Sequence, residues 1–179
     1  MSDKLTFKPV TDKTVGDFEK LFSAKGSPSY CWCMAWRATP EEIKNSSRPL
    51  RKKQMLGRIA DGVQVGLLAY EEGEPIGWIS LAPKENFRKL GGVEESDGVW
   101  SLTCMFVPRA RRGEGLANAF IKGAAAYVKK QGGKLLEAYP VDPDSPSYRY
   151  MGFVPAFERA GFAETGREGK RRHVMQLSL

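Results

Sequence analysis

The 179-residue chain has a single histidine, His173, and only three cysteines, Cys31, Cys33 and Cys104. One imidazole and a C-x-C pair fall short of the four ligands of a structural zinc site, so no metal is expected. The odd cysteine count, with no apolar leader-like stretch in residues 1–10, argues against a disulfide framework. It points instead to a cytoplasmic protein with buried, reduced thiols. No apolar run approaches the length of a membrane span, so no membrane partner is expected. Internal repeats, low-complexity tracts and linkers are also missing, and one domain accounts for the whole chain. Two glycine-rich nucleotide signatures fail as well. No lysine-hydroxyl pair follows Gly115, as a P-loop requires. Asn118 stands where a dinucleotide fingerprint needs its third glycine.

What is present is positive charge. Twenty-eight Lys and Arg against 21 Asp and Glu leave a net charge of +7. That favours an anionic ligand. The basic residues do not form a stripe interleaved with aromatics, and no RNA- or DNA-binding signature accompanies them, so nucleic acid is disfavoured.

Hydrophobic spacing lays out an alternation of strands and helices. Residues 5–10 alternate as a first strand. Val15, Phe18, Leu21 and Phe22 fall on one helical face. Thr39, Pro40, Glu41 and Glu42 mark a helix start, which Pro49 is expected to break before a further helical segment ending at Gly62. Residues 63–70 and 75–82 read as a hairpin, and 83–98 as a polar loop. Residues 99–107 form the next strand. A helix from Gly113 is expected to bury Leu116, Phe120, Ala124, Tyr127 and Val128, with Glu114, Asn118, Lys122 and Lys129 facing water. After Gly132 and Gly133 come a strand over 134–141, a loop and short helix to residue 161, and a closing hairpin around Gly169.

The segment "VPRARRGEGLANAF", residues 107–120, joins strand to helix through glycines and arginines. Glycine lets backbone approach a ligand closely. The first amides of a helix lack intrahelical partners, and the helix dipole adds positive character there. Together these suit a phosphate.

Arg112-Gly113-Glu114-Gly115-Leu116-Ala117 matches the [QR]-x-x-G-x-[GA] signature and resembles the GNAT superfamily of acyl-CoA N-acyltransferases. The order of elements around it is similar too, over residues 63–179. "SLTCMFV", "EAYPVD" and "CWCMAW" further resemble a bacterial subgroup of that superfamily with a CWCMxW segment. The resemblance implies a single α/β domain. Its mixed, mostly antiparallel sheet would have six to seven strands flanked by helices, with the fourth and fifth strands splayed apart. Residues 63–179 would be the acyl-CoA-binding core and residues 1–62 a variable, acceptor-binding part. Acetyl-CoA would be the co-substrate and an amine the acceptor, with a homodimer as an open assembly. Arg111, Arg112, Gly113, Gly115, Leu116 and Ala117 would hold the pyrophosphate of coenzyme A. The backbone of Met105, Phe106 and Val107 would take the pantetheine arm and polarise the thioester.

The same resemblance implies direct acetyl transfer to a primary amine. Glu137 is a candidate for the group that removes the amine proton, and Glu85 a second. Many members carry a tyrosine in the last helix that protonates the leaving thiolate. Phe157 stands there instead, leaving Tyr148 and Tyr150 to supply a hydroxyl. Trp32, Met34 and Trp36 are candidates for an acceptor pocket or for core. Cys104 reads as a small buried residue rather than a nucleophile. The missing tyrosine keeps a second function open, an acyl-CoA-binding sensor without turnover.

Overall fold

The period-two strands and period-3.6 helices assemble in a computed structural model that describes residues 5–179. Residues 1–4, part of the stretch read for a leader, lie outside that range. In chain order the elements are β1 (Leu5–Pro9), α1 (Val15–Ser23), α2 (Pro40–Lys44), α3 (Arg48–Ala60), β2 (Gly66–Glu71) and β3 (Glu74–Pro83). They continue with β4 (Val99–Phe106), α4 (Leu116–Lys130), β5 (Leu135–Ala138), α5 (Val154–Arg159), β6 (Ala163–Glu168) and β7 (Arg172–Ser178). The seven strands lie in the order β1-β2-β3-β4-β5-β7-β6. Only β4 and β5 run parallel.

Successive strand residues point to opposite faces, so each strand feeds two cores. Leu67, Ala69, Ile79, Leu81 and Leu102 pack under α4 and α5 with Phe120, Ile121, Ala124 and Phe157. Leu68, Tyr70, Trp78 and Phe106 face the other way, onto Phe18, Phe22, Trp32, Met55 and Ile59. Both faces are thus covered, and α1 and α3 share a core with the sheet.

Local expectations meet three corrections. Pro49 does not break a helix. It lies in the first turn of α3, whose N-cap Ser47 accepts from Leu50 N. First-turn amides need no intrahelical partner, so proline fits there without loss. Thr39 does cap α2, in a reciprocal capping box with Glu42. Helix α4 begins at Leu116, which leaves Gly113 and Gly115 outside it in left-handed conformations, φ +87° and +75°. On α4, Ile121 is buried, Tyr127 only half-buried, and the Asn118 side chain is not wet: its Oδ1 is enclosed without a partner.

Candidate functional site

Two features of β4 shape the site. Its pairing with β5 runs only from Val99↔Leu135 to Leu102↔Ala138. Its pairing with β3 continues to Phe106. Over residues 103–106, amides facing away from β3 therefore have no strand beside them. The chain beyond β5 turns aside, and Val141 bridges Phe153 in parallel instead. Here β4 and β5 splay. The second feature is a register shift against β3 between Ser80 and Leu81, where Ser80 faces Cys104 and Leu81 faces Leu102. Thr103 is the extra residue, a bulge. Alternation restarts there, so the consecutive side chains of Thr103 and Cys104 both line one cavity.

The splay opens into a cleft of about 400 Å³, lined by Met105, Val107, Arg112, Ala117, Arg149, Tyr150, Gly152, Phe153 and Ala156. At one end is the Arg-Gly-Glu-Gly turn. Neither Gly113 nor Gly115 has any atom within 4 Å of where a Cβ would stand, so the turn is an open cradle. The N-cap of α4 has no side-chain cap, leaving its first amides outward. Arg112 is exposed, with its Nε donating to the Val107 carbonyl at 3.2 Å. Arg111 is committed elsewhere. Its guanidinium pairs with Glu114 at 2.8 Å and Glu71 at 3.0 Å. Hydrogen bonding to Glu114 holds its pKa above the ordinary value. Leu116 packs onto the core under α4. Phe106 turns its side chain into the opposite core, so only its backbone borders the splay.

A second cavity, of about 460 Å³, lies against the cleft. One wall comes from residues 28–36, the others from β3, β4 and residues 148–151. Its lining includes Tyr30, Cys31, Trp36, Arg88, Cys104 and Tyr150. Tyr150 lines both spaces. Of the three candidates from "CWCMAW", only Trp36 reaches this cavity. Trp32 stacks on Phe22 with ring centroids 5.2 Å apart, and Met34 is 1% exposed. The segment folds this way because Trp32 and Cys33 are both left-handed, φ 47° and 53°. For non-glycine residues that costs roughly 1–2 kcal/mol each. It turns the Trp32 ring into the core beside α1 and leaves Cys31 and Cys33 on the cavity wall. Tyr148 is left-handed too, φ 59°, and its ring lies 6.3 Å from that of Trp36.

Two of the thiols, Cys31 and Cys33, are held protonated. The neighbouring Cys33 thiol and burial push Cys31 well above the usual thiol range, and the neighbouring Cys104 does the same to Cys33. A protonated thiol is a poor nucleophile. Burial pushes Tyr30 up to about 12.

The two carboxylate candidates lie outside the cavity. Glu137 is fully buried in β5. It accepts from Lys84 Nζ at 2.5 Å, Tyr139 Oη and Gln176 Nε2 at 2.8 Å, and Val93 N at 3.1 Å. Gly92 passes so close that a Cβ there would collide with the same carboxylate. Glu85 is exposed in the β3–β4 connection and lines neither space. Phe157 is fully buried against Phe162, in the core rather than the cleft. Arg88, Arg149, Phe153 and the Ser80–Thr103 pair are lining residues that sequence reasoning missed: the first three lie outside strands and helices with a regular period, and the pair sits at the β3–β4 register shift. Among the described residues, no group of three or more His, Cys, Asp and Glu could hold a metal. No helix there is long and apolar enough to cross a membrane.

A splayed parallel pair above a glycine turn is the geometry the signature implied. The model of the acetyltransferase (GNAT) family matches residues 28–153, well over half of the chain. The chain belongs to the GNAT family. Its fold is that of solved acetyltransferases at low sequence identity. AAC(6')-Ib in complex with ribostamycin and coenzyme A superposes with TM-score 0.63 at 18% identity, covering 98% of this chain and 94% of the other. PaiA N-acetyltransferase from Thermoplasma acidophilum, in complex with coenzyme A, has TM-score 0.55 and 14% identity, covering 98% and 99%. Ribosomal-protein-alanine N-acetyltransferase from Brucella melitensis has TM-score 0.57 and 17% identity, covering 97% and 99%. No curated protein matches this GNAT chain in sequence.

Proposed function

We propose that this GNAT chain transfers the acetyl group of acetyl-CoA directly to a primary amine. The single observation that carries the reading is Tyr150, which stands where the splayed cleft meets the cavity. In this reading the cradle of Gly113, Gly115 and the first α4 amides holds the pyrophosphate, with Arg112 as its counter-charge. The cleft along Met105 and Val107 takes the pantetheine arm, and an unpaired β4 amide polarises the thioester carbonyl. Residues 63–179 supply this acyl-CoA side. Residues 28–36 close the acceptor cavity over β3 and β4.

The chemistry then needs few side chains. The amine lone pair forms a bond to the carbonyl carbon, the carbon–sulfur bond breaks, and the amine gives up one proton to solvent, the cavity lining holding no carboxylate. Tyr150 is the hydroxyl placed to protonate the departing thiolate. Tyr148 is a wall residue of the acceptor cavity. Glu137 takes no part in proton transfer. Its bonds from Lys84 and Val93 tie the β3–β4 connection to β5, and the one from Gln176 ties β5 to β7.

Phe157, buried and without a hydroxyl, favours a second reading, an acyl-CoA sensor that does not turn over. Calorimetric titration with acetyl-CoA and with free coenzyme A tests both. Saturable micromolar binding is expected. No binding by folded protein at moderate salt would remove the two readings together. Thiol release with an amine present separates them. Tyr150→Phe is expected to lower kcat about a hundred- to ten-thousandfold with unchanged acetyl-CoA affinity.

A further inference from the structure

The acceptor cavity has a charge pattern that acetyl transfer alone does not demand. Its lining contains no Asp or Glu, and its one charged side chain is Arg88. Two more guanidiniums stand directly behind its walls. Arg37, 6% exposed, donates to the lining Ser80 hydroxyl at 2.9 Å, to the Cys33 carbonyl at 3.1 Å and to the Val65 carbonyl. Ser80 in turn shares a 2.8 Å hydrogen bond with Thr103, also in the lining. Arg172, 9% exposed, donates to the Leu90 carbonyl and lies 4.7 Å from the Trp36 ring and 5.6 Å from the Tyr148 ring. Arg88 donates to the Ala35 carbonyl at 3.1 Å.

All three arginines are held by carbonyls, hydroxyls and rings. Among the described residues none forms an ion pair. Arg88 is exposed, but Arg37 and Arg172 are buried, and buried charges are ordinarily paired. Burial, with the like charge of Arg58 nearby, pushes Arg37 down to about 10. Three unpaired guanidiniums around one cavity leave a net positive potential that low-dielectric walls concentrate.

We infer that the acceptor is a small amine that also bears a carboxylate on an apolar or aromatic body: an amino acid, or an acid built like one. The inference rests on the transfer reading and names its substrate class. The carboxylate would pair with Arg88, backed by Arg37 and Arg172, while Trp36, Tyr30 and Tyr148 take the apolar body. The amine would then lie toward Tyr150. Surrounding positive charge disfavours an ammonium, so the wall itself favours the neutral, attacking form of the amine. That supplies a physical role for a cavity without a carboxylate base. A polycationic acceptor would meet repulsion and find no partner. The volume of about 460 Å³ also suits one small molecule.

Two measurements test this separately from transfer itself. The first is coenzyme A release with phenylalanine and tryptophan, their carboxamides, phenethylamine and spermidine. The acids are expected to exceed the matched amides at least tenfold in kcat/KM. In Arg88→Gln that advantage should shrink at least fivefold, through KM. Equal or faster turnover of amides or spermidine overturns the inference and leaves the transfer reading standing.

The second needs no turnover. Cys104 lines the same cavity, so its alkylation by iodoacetate relative to iodoacetamide, located by mass spectrometry, reports the local charge. The ratio is expected to exceed that of glutathione at least threefold and to fall toward it in Arg88→Gln. A ratio at or below that of glutathione overturns the inference, whichever amines react. A raised ratio in a protein that binds no acetyl-CoA would overturn the transfer reading and keep an anion-selective cavity.

Discussion

Removing the Glu137 carboxylate separates a structural role from a catalytic one. The group is fully buried and takes four hydrogen bonds, one from the Lys84 ammonium, whose side chain is 12% exposed. Glu137→Leu strands that ammonium together with the Val93 amide and the Tyr139 and Gln176 donors. Breaking a buried pair from one side costs about 3–5 kcal/mol. For a chain of this length 1 kcal/mol moves Tm by roughly 2–4 °C, so a fall of about 6–20 °C is expected. Glu137→Gln keeps the shape and part of the acceptor capacity, and should lose about half as much. The assay is a thermal melt followed by coenzyme A release measured well below the lowered Tm. There Glu137→Gln should keep activity within about threefold of the parent, with the same pH profile. A Glu137→Gln protein that melts like the parent yet loses a hundredfold in rate would refute the reasoning and restore Glu137 as the base.

Gly113→Asp places a carboxylate in the cradle at a site with nothing within 4 Å of the new Cβ. Coenzyme A affinity should fall at least a hundredfold, while a melt moves only by the roughly 1 kcal/mol that a left-handed Asp costs. Arg112→Ala should weaken coenzyme A binding several-fold, in a salt-dependent way. Arg111→Ala should leave binding nearly unchanged, because Glu71 and Glu114 already occupy that guanidinium; titrations at two salt concentrations distinguish them. The hydrogen bond from Arg58 holds the Glu42 carboxyl below its ordinary value. A depressed folded-state pKa stabilises above the unfolded value of about 4.3 and is lost as pH falls through the folded one. Glu42→Gln should therefore flatten that acid limb of Tm against pH and leave Tm lower at neutrality.

Local chemistry made much of this protein legible before folding. The faces of α1 and α4, the capping box at Thr39, the hairpins and the glycine turn follow from spacing within a few residues. Such signals act through backbone geometry that each segment carries with it. Family resemblance supplied the splay and the order of strands around it.

The cavity beside the cleft was not legible, because its determinants are long-range. Trp32, Met34 and Trp36 look alike as a sequence, yet only Trp36 reaches the cavity, after two left-handed residues turn the first ring into the core. Glu137 reads as a free carboxylate until Lys84, 53 positions away, closes on it. Arg111 reads as a phosphate ligand until Glu71 takes it. A bulge at Thr103 is invisible to any alternation rule, and it is what sends two neighbouring side chains into the same space. The sequence by itself determined the order of the elements, most of their apolar faces and the glycine turn between β4 and α4. Only the tertiary structure decided which charges remain unpaired, because pairing depends on partners that distant segments bring within hydrogen-bonding reach.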